Sequence, residues 1–314
     1  MSIVPEVAPL AEAVPDPVGR RVSWLRFLRR PDAIFGLAVI AFFIAVAVLA
    51  PYISPYGERE RVGEPFEPPS SAHWLGTDGG GRDMLTLMIW GARVSLVVGF
   101  AAAAVAILIG GTIGILGGYF GGKTDTVLAR LTDYFLVIPD IPLIIVVAAI
   151  WGRSLTNIIV IIGVIYWTTT SRLVRSQVLT LRERVYVKRA RAVGSGHARI
   201  IVRHILPQVS PLLISLTVLT MAIAIFAETA IAFLGLGDPS LISWGKLIEN
   251  AFQDGAVSVR AWNAIAPPGI AVALVILACT MIGRSLEDML NPRLRVGHLS
   301  VRRFRLRDVP EDTK

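Results

Sequence analysis

Residues 186–207, YVKRARAVGSGHARIIVRHILP, stand between two long apolar runs, one closing near Thr170 and the next opening near Pro211. The stretch carries Lys188, Arg189, Arg191, Arg199 and Arg203 and no acid. Tyr186, Ala190 and Val193 recur at i, i+4 and i+7, so a short helix is expected to gather them into one apolar stripe with Lys188, Arg189 and Arg191 opposite. Gly194 falls where a helix ends on a left-handed residue, and Gly196 loosens the turn further. A second basic helix is expected from about His197 to Leu206, with Pro207 helping to break it before the next apolar run. The result is a soluble-looking basic hairpin lodged between two membrane crossings. Two uses fit it: a docking handle that a partner approaches closely over Ala190, Ala192 and Gly194, or an amphipathic hairpin lying on lipid headgroups.

The rest of the chain makes the membrane setting unavoidable. Of 314 residues 54% are hydrophobic and 17% charged, against about 25% charged in soluble domains. Runs of roughly 20 apolar residues cross about 30 Å of hydrocarbon. Such runs are read at Ala33–Ala50, Val94–Gly117, Thr126–Trp151, Asn157–Thr170, Pro211–Leu236 and Ile265–Ile282, which gives six spans. A span must satisfy its backbone internally, so an all-α polytopic bundle is expected. The first span is expected to be retained rather than cleaved, because a 32-residue flank precedes it and it runs into Pro51. The proline-rich tail before Arg20 is expected to be disordered.

Basic residues orient the bundle. Arg20, Arg21, Arg26, Arg29 and Arg30 precede the first span. Nine basic residues between Arg172 and Arg203 face the single acid Glu183, and Arg284, Arg293, Arg295, Arg302, Arg303, Arg305 and Arg307 follow the last span. The loop between spans five and six sets Lys246 and Arg260 against Asp238, Glu249 and Asp254. An even span count puts all three basic regions on one side, so both termini are expected to be cytoplasmic. The net charge of +8 is explained by anionic lipid at that face, and the chain lacks the base-stacking aromatics of a nucleic-acid binder.

Chemistry is sparse. Cys279 is the only cysteine, and no cysteine–histidine cluster has metal-ligand spacing, so neither a metal nor another cofactor is expected. Residues 117–124, GGYFGGKT, fit the phosphate-binding pattern G-x-x-x-x-G-K-[ST], but that chemistry needs a strand leading into the loop. A membrane helix leads in here, so a tight glycine turn is expected. No nucleophile–base pair is visible, and the chain is not expected to be an enzyme. Ionisable residues at membrane depth mark function by default, which singles out Asp133, Asp140 and Glu228 as candidates for the translocation pathway. Asp133 and Glu228 read first as a helix cap and a buried brace. Asp140, roughly 22 Å along a straight helix from Asp125, is read as lining a pathway.

Several stretches together resemble one family. ARAVG at 190–194, followed at a set distance by Leu206-Pro207, resembles the EAA loop of bacterial ABC importer permeases, and RIIVRHILP at 199–207 is close to the form in the peptide-importer branch. His73-Trp74-Leu75-Gly76-Thr77-Asp78, continuing through Gly81-Arg82-Asp83 and GARVSLVVG at 91–99, resembles that branch's extracytoplasmic signature. GGYFGGKTDTVLARLTDYFLVIPDIPL at 117–143, AFLGLGDPSLISWG at 232–245 and NPRLR at 291–295 extend the likeness over roughly residues 20–296. The chain thus resembles the C-type permease of dipeptide, oligopeptide and nickel importers, with Arg189 standing where the family usually has alanine.

The resemblance implies a type-1 ABC importer transmembrane fold in the cytoplasmic (inner) membrane of a bacterium or archaeon. It divides the chain into a cytoplasmic tail (1–32), a first span with an extracytoplasmic loop (33–93), a transmembrane core (94–285) that includes a 182–207 coupling hairpin, and a basic cytoplasmic tail (286–314). It also implies a homologous second permease, two cytoplasmic ATPases and an extracytoplasmic substrate-binding protein as partners, with peptides or similar small solutes as cargo. ATPase coupling would fall to Tyr186, Arg189, Ala190, Ala192, Gly194, Leu206 and Pro207, and the extracytoplasmic signature is carried by Gly76, Thr77, Asp78, Gly81, Arg82 and Asp83. The competing class is a stand-alone channel or secondary transporter with a lipid-bound hairpin.

Overall fold

The structure, a computed structural model, describes residues 27–290, all in helices and connecting loops apart from one isolated bridge between Thr77 and Asp83. The expected disorder before Arg20 and the basic tail after Leu290 lie outside the described residues. The helices are α1 (Pro31–Ile53), α2 (Met84–Phe120), α3 (Gly122–Val137), α4 (Asp140–Trp151), α5 (Leu155–Arg182), α6 (Val185–Ala192), α7 (His197–Leu236), α8 (Trp244–Gln253) and α9 (Trp262–Leu290). Five are single apolar rods long enough to cross a bilayer, and α3 with α4 makes a sixth crossing if the bent pair is one span.

That bend corrects the straight third span expected from the sequence. α3 and α4 meet at 86°. Ile138 is extended (φ −80°, ψ 126°) because the ring of Pro139 disfavours helical backbone in the residue before it. A second correction concerns Pro207, which does not break the chain. α7 continues through it, from His197 to Leu236. A π-helical turn over Ile201–Ile205 lets the Leu206 N–H reach Ile201 O, and Pro207 then sits at the head of the following α-helical stretch, where its missing N–H costs little. α7 ends in a second π turn, Ala232–Leu236, where Gly235 turns out at φ 77°.

The framework is a close pairing of α2 with α5. Gly110, Gly114 and Gly118 recur every fourth residue on α2 and lie against α5 backbone. A Cβ on Gly114 would stand 2.7 Å from Ser171 O, and one on Gly118 would stand 2.9 Å from Arg175 O. α5 answers with Gly163, whose Cβ would meet Ala102 O at 3.1 Å. Small residues every fourth position let membrane helices approach to backbone contact, where dispersion and weak polar contacts hold them. At the end near Phe120 Arg182 Nη1 donates to Gly118 O of α2 at 3.2 Å, and charge ties α5 to the first turn of α3: Arg175 Nε and Nη2 donate to the two oxygens of Asp125 at 2.5 and 2.8 Å. The glycine turn at 117–124 is a helix–helix corner, with Gly121 and Gly122 at φ 68° and 53°.

α7 packs against this pair, α9 packs chiefly on α7, and α1 lies outside against α2 and α9, touching α9 where a Cβ on Gly36 would stand 2.7 Å from Ala278 O. The loop between α7 and α9 holds α8, which the span reading did not anticipate. Its first residue, Trp244, is fully buried. The Trp244 indole donates to Met88 O (3.1 Å), its backbone N–H donates to Ser95 Oγ (3.1 Å), and Phe43 meets its ring edge-on at 5.2 Å.

Candidate functional site

The two ends of the bundle carry different machinery. At one end α5, α6 and the start of α7 form the basic hairpin. Its foundation is a buried cluster of Val174, Val178, Leu181, Val187, Ile200, Ile205 and Val209. The buried residue of α6 is Val187, whereas Tyr186 and Val193 are exposed (40% and 80%) and Ala190 is half-buried. This corrects the expected stripe: the short turn at Glu183–Arg184 sets α6 so that Val187 reaches the core, and the Tyr186 and Val193 side chains are left outside.

α6 ends in a Schellman arrangement, with Gly194 N–H donating to Arg191 O and Ser195 N–H to Ala190 O, both at 3.0 Å, and Gly194 at φ 78°. Nothing lies within 4 Å of where a Cβ on Gly194 or Gly196 would stand, so the tip is open. The tip is nevertheless fixed. The His197 ring and the Tyr119 hydroxyl lie 2.9 Å apart, the Arg191 guanidinium sits 5.6 Å from the Tyr119 ring centre, and Glu183 pairs with Lys188 at 3.0 Å. The hydrogen bond from Lys188 holds the Glu183 carboxyl below the usual carboxylate range. Arg189, Ala192 and Leu206 are exposed, and Pro207 is half-buried.

At the other end the signature residues form a knot over the start of α2. Asp83 caps α2, its Oδ2 accepting from the Thr86 N–H and hydroxyl at 2.8 Å each, while Oδ1 lies 3.1 Å from His73 Nδ1. Asp78 accepts from Gly80 N–H, Arg82 N–H and the Arg82 guanidinium at 2.5 to 2.9 Å. The Thr77 hydroxyl donates to Glu64 O (2.6 Å) and accepts from Glu67 N–H (2.8 Å). Gly76 and Gly81 sit at φ 72° and 73° with backbone oxygens against the positions of their absent Cβ atoms, so each is required both by conformation and by space. Replacing Asp83 with alanine removes the cap and strands His73. It is expected to cost about 2 kcal/mol or more, read as a lower Tm of the purified protein, with Asp83→Asn in between.

The loop after α7 is tied to the head of α5 by Asp238, which accepts from Leu155 N–H at 3.1 Å and from the Ser240 N–H and hydroxyl. Burial alone would raise the Asp238 carboxyl, but the hydrogen bonds from Ser240 and Leu155 outweigh it and hold the group below the usual carboxylate range. Its contribution is therefore complete at neutral pH and lost only as pH falls through that lowered value. Hydrogen exchange at the Leu155 amide is expected to be flat from pH 8 to 5, once corrected for intrinsic exchange, and to quicken in stronger acid.

The three membrane acids separate. Glu228 on α7 is buried, with the Ser95 hydroxyl donating to it at 3.5 Å, so Ser95 links Glu228 to Trp244. Asp133 is exposed and paired with Arg172 at 3.2 Å. Asp140 is exposed in the first turn of α4, interacts with the Tyr166 hydroxyl and accepts from Ile141 N–H. Because the 86° bend falls between Asp125 and Asp140, the straight-helix depth assigned to Asp140 does not apply. The glycine stripe, the Asp125–Arg175 clamp and the Trp244 plug were missed in the sequence. Only the stripe left a local signal there, as G-x-x-x-G-x-x-x-G at 110–118.

A bundle of crossing helices with a rigid basic hairpin at one end and a knotted loop at the other is a multi-pass membrane permease in architecture. Residues 110–296 match the family described as binding-protein-dependent transport system inner membrane component, and residues 20–69 match the N-terminal TM domain of oligopeptide transport permease C. Similar proteins include the dipeptide transport system permease protein DppC of Alkalihalophilus pseudofirmus, 38% identical over 279 residues (88% of this chain and 90% of that protein). The glutathione transport system permease protein GsiD of Pectobacterium atrosepticum is 34% identical over 281 residues (88% and 91%). The oligopeptide transport system permease protein OppC of Bacillus subtilis is 33% identical over 275 residues (87% and 89%). The chain belongs to the binding-protein-dependent transport system inner membrane components.

Proposed function

We propose that the chain is the C-type permease of an ATP-driven importer for peptides or similar small solutes in the bacterial cytoplasmic membrane. Both termini and the 182–207 hairpin face the cytoplasm, and the 60–83 loop and α8 face outward. A homologous permease completes the pathway, two ATPases dock at the hairpins of the two permeases, and an extracytoplasmic binding protein delivers the solute. The chain itself performs no ATP hydrolysis.

The observation that carries this reading is the hairpin's combination of a fixed base and an uncovered tip. Val187, Ile200 and Ile205 anchor it in the core, whereas Gly194 and Gly196 leave room for close approach. Reversing a 1:99 equilibrium between two bundle states needs about 5.5 kcal/mol of differential binding, which a rigid lever can transmit and a loose loop cannot. The competing picture, a hairpin lying on headgroups in a stand-alone channel, asks for a continuous apolar face outward. In α6 the buried Val187 points into the protein, and the exposed apolar residues of the hairpin, Val185, Tyr186, Val193, Val202 and Leu206, are interleaved with the exposed cations Lys188, Arg189, Arg191, Arg199 and Arg203. In the cycle so proposed, ATP-driven closure of the ATPases draws the two hairpins together and opens the bundle outward. Asp140, beside Tyr166 at the bend, is the acid assigned to the pathway, with Glu228 and Asp133 acting as braces.

Mild extraction of a tagged chain from its host tests the reading. A second permease and one or two ATPases are expected to co-purify. Recovery of a folded chain alone would favour the channel and reduce the hairpin to a lipid-bound element.

A further inference from the structure

At the end of the bundle opposite the hairpin, a cleft of about 420 Å³ opens between the loop after α1, the signature knot, the loop after α7 and α8. Four cations line it, Arg59, Arg61, Arg82 and Lys246, with Asp254 as the one lining acid. Three of the four are held in place from behind. Arg82 spends Nε and Nη2 on the largely buried Asp78, Lys246 is paired with the largely buried Glu249, and Arg59 Nη2 donates to Ser240 O at 2.9 Å. Arg59 also lies 3.7 Å from Glu58, whereas Arg61 is exposed and makes no ion pair or hydrogen bond among the described residues. Arg82 sits in the knot closed by Asp78 and Asp83, Lys246 sits on α8 pinned by Trp244, and the segment after Arg61 is tied to the knot by the Val62 and Gly63 N–H groups, which donate to Gly81 O at 2.9 and 3.2 Å.

Such a wall offers N–H donors from separate segments, three of them held in place and one a guanidinium with no partner among the described residues. A guanidinium is matched in geometry to a carboxylate. A single small anion at an exposed site would gain too little from one ion pair to stay bound. Several carboxylates held at fixed spacing on one protein surface would engage the donors together, and they would gain specificity and encounter rate from doing so.

We propose that this cleft receives acidic side chains of the extracytoplasmic binding protein and sets its docking register on the permease. The proposal rests on the importer reading above and adds to it the place and chemistry of that contact.

The test uses the complete importer, co-purified with its ATPases and placed in nanodiscs, with the binding protein titrated and stimulated ATP hydrolysis recorded. Arg61→Glu, and more strongly Arg59→Glu with Arg61→Glu, is expected to raise the half-saturating concentration of binding protein about tenfold or more. Arg61→Lys is expected to stay within a few-fold of wild type, since it keeps the charge. Yield and Tm of the assembled complexes separate a docking effect from misfolding. An unchanged half-saturation in the double variant overturns the proposal while leaving the importer reading intact. A defect that appears only in nanodiscs with anionic lipid, and vanishes in zwitterionic ones, overturns it in favour of a headgroup site. A wild-type complex that no binding protein stimulates removes the importer reading itself, and the proposal with it.

Discussion

Replacing Gly114 with leucine is expected to abolish accumulation of the folded protein, with membrane yield falling by about an order of magnitude or more. The added side chain would begin 2.7 Å from Ser171 O and 2.9 Å from Val174 Cβ, in the middle of the α2–α5 contact. Neither neighbour is a flexible chain end, so the helices must separate, and Gly110 and Gly118 lose their contacts with α5 at the same time. Overpacking a well-fitted core commonly costs about 1–3 kcal/mol for small additions, and here the obstacle is backbone. Alanine at 114 is expected to fall within that range and to lower the Tm without eliminating the protein. Gly111, three residues earlier on α2, faces only the tip of Leu213 at 3.2 Å. There the clash is relieved by a side-chain shift, and alanine's helix propensity works in favour by up to about 1 kcal/mol. Gly111→Ala is thus expected to be neutral or slightly stabilising, and equal damage from Gly111→Ala and Gly114→Ala would contradict the close-packing account. Yield by immunoblot and Tm in detergent decide between them.

The second large effect is expected at Gly194, and it is functional. The residue has φ 78° with open space beyond it, so a tryptophan meets no atom of its own chain within 4 Å of Cβ. Left-handed backbone costs an L-residue about 1–2 kcal/mol, too little to unfold a bundle whose cores lie elsewhere. Insertion, yield and Tm are therefore expected to be near those of wild type. Solute uptake is expected to fall at least about tenfold, with the ATPases either lost on purification or hydrolysing ATP without transport. Gly194→Asn, which tolerates the left-handed region and is smaller, is expected to retain most of the uptake. Wild-type uptake by Gly194→Trp would end the assignment of this tip as a docking surface. Tryptophan and asparagine acting alike would instead point to backbone strain.

Much of the architecture was legible because membrane insertion depends on length and polarity, which are local. The apolar runs located the spans, the Gly194 turn followed from helix-end chemistry, and the stretches 73–83 and 190–207 carried the family likeness. What escaped was long-range. Nothing in the local pattern pairs Arg175 with Asp125 across 50 residues, or His73 with Asp83 beneath a loop closed by Thr77 and Glu67. α8 is a 10-residue amphipathic helix, too short for a span reading, and its role comes from Trp244 entering a slot between α2 and α1. Pro139 marked a break, but the 86° at which α3 and α4 meet is a property of their surroundings. At Pro207 the local rule pointed the wrong way, because a π turn just upstream had already shifted the hydrogen-bond register.

By itself, then, the sequence determined that this chain crosses the membrane as helices, that its basic hairpin lies between two spans, and which family it resembles. The tertiary structure decided which face of each helix meets protein, why Val187 rather than Tyr186 anchors the hairpin, and where Asp140 comes to lie. The physical reason is that lipid tails are as apolar as leucine. In water a buried face announces itself by contrast with a polar one. Inside a bilayer both faces are apolar, and only packing tells them apart.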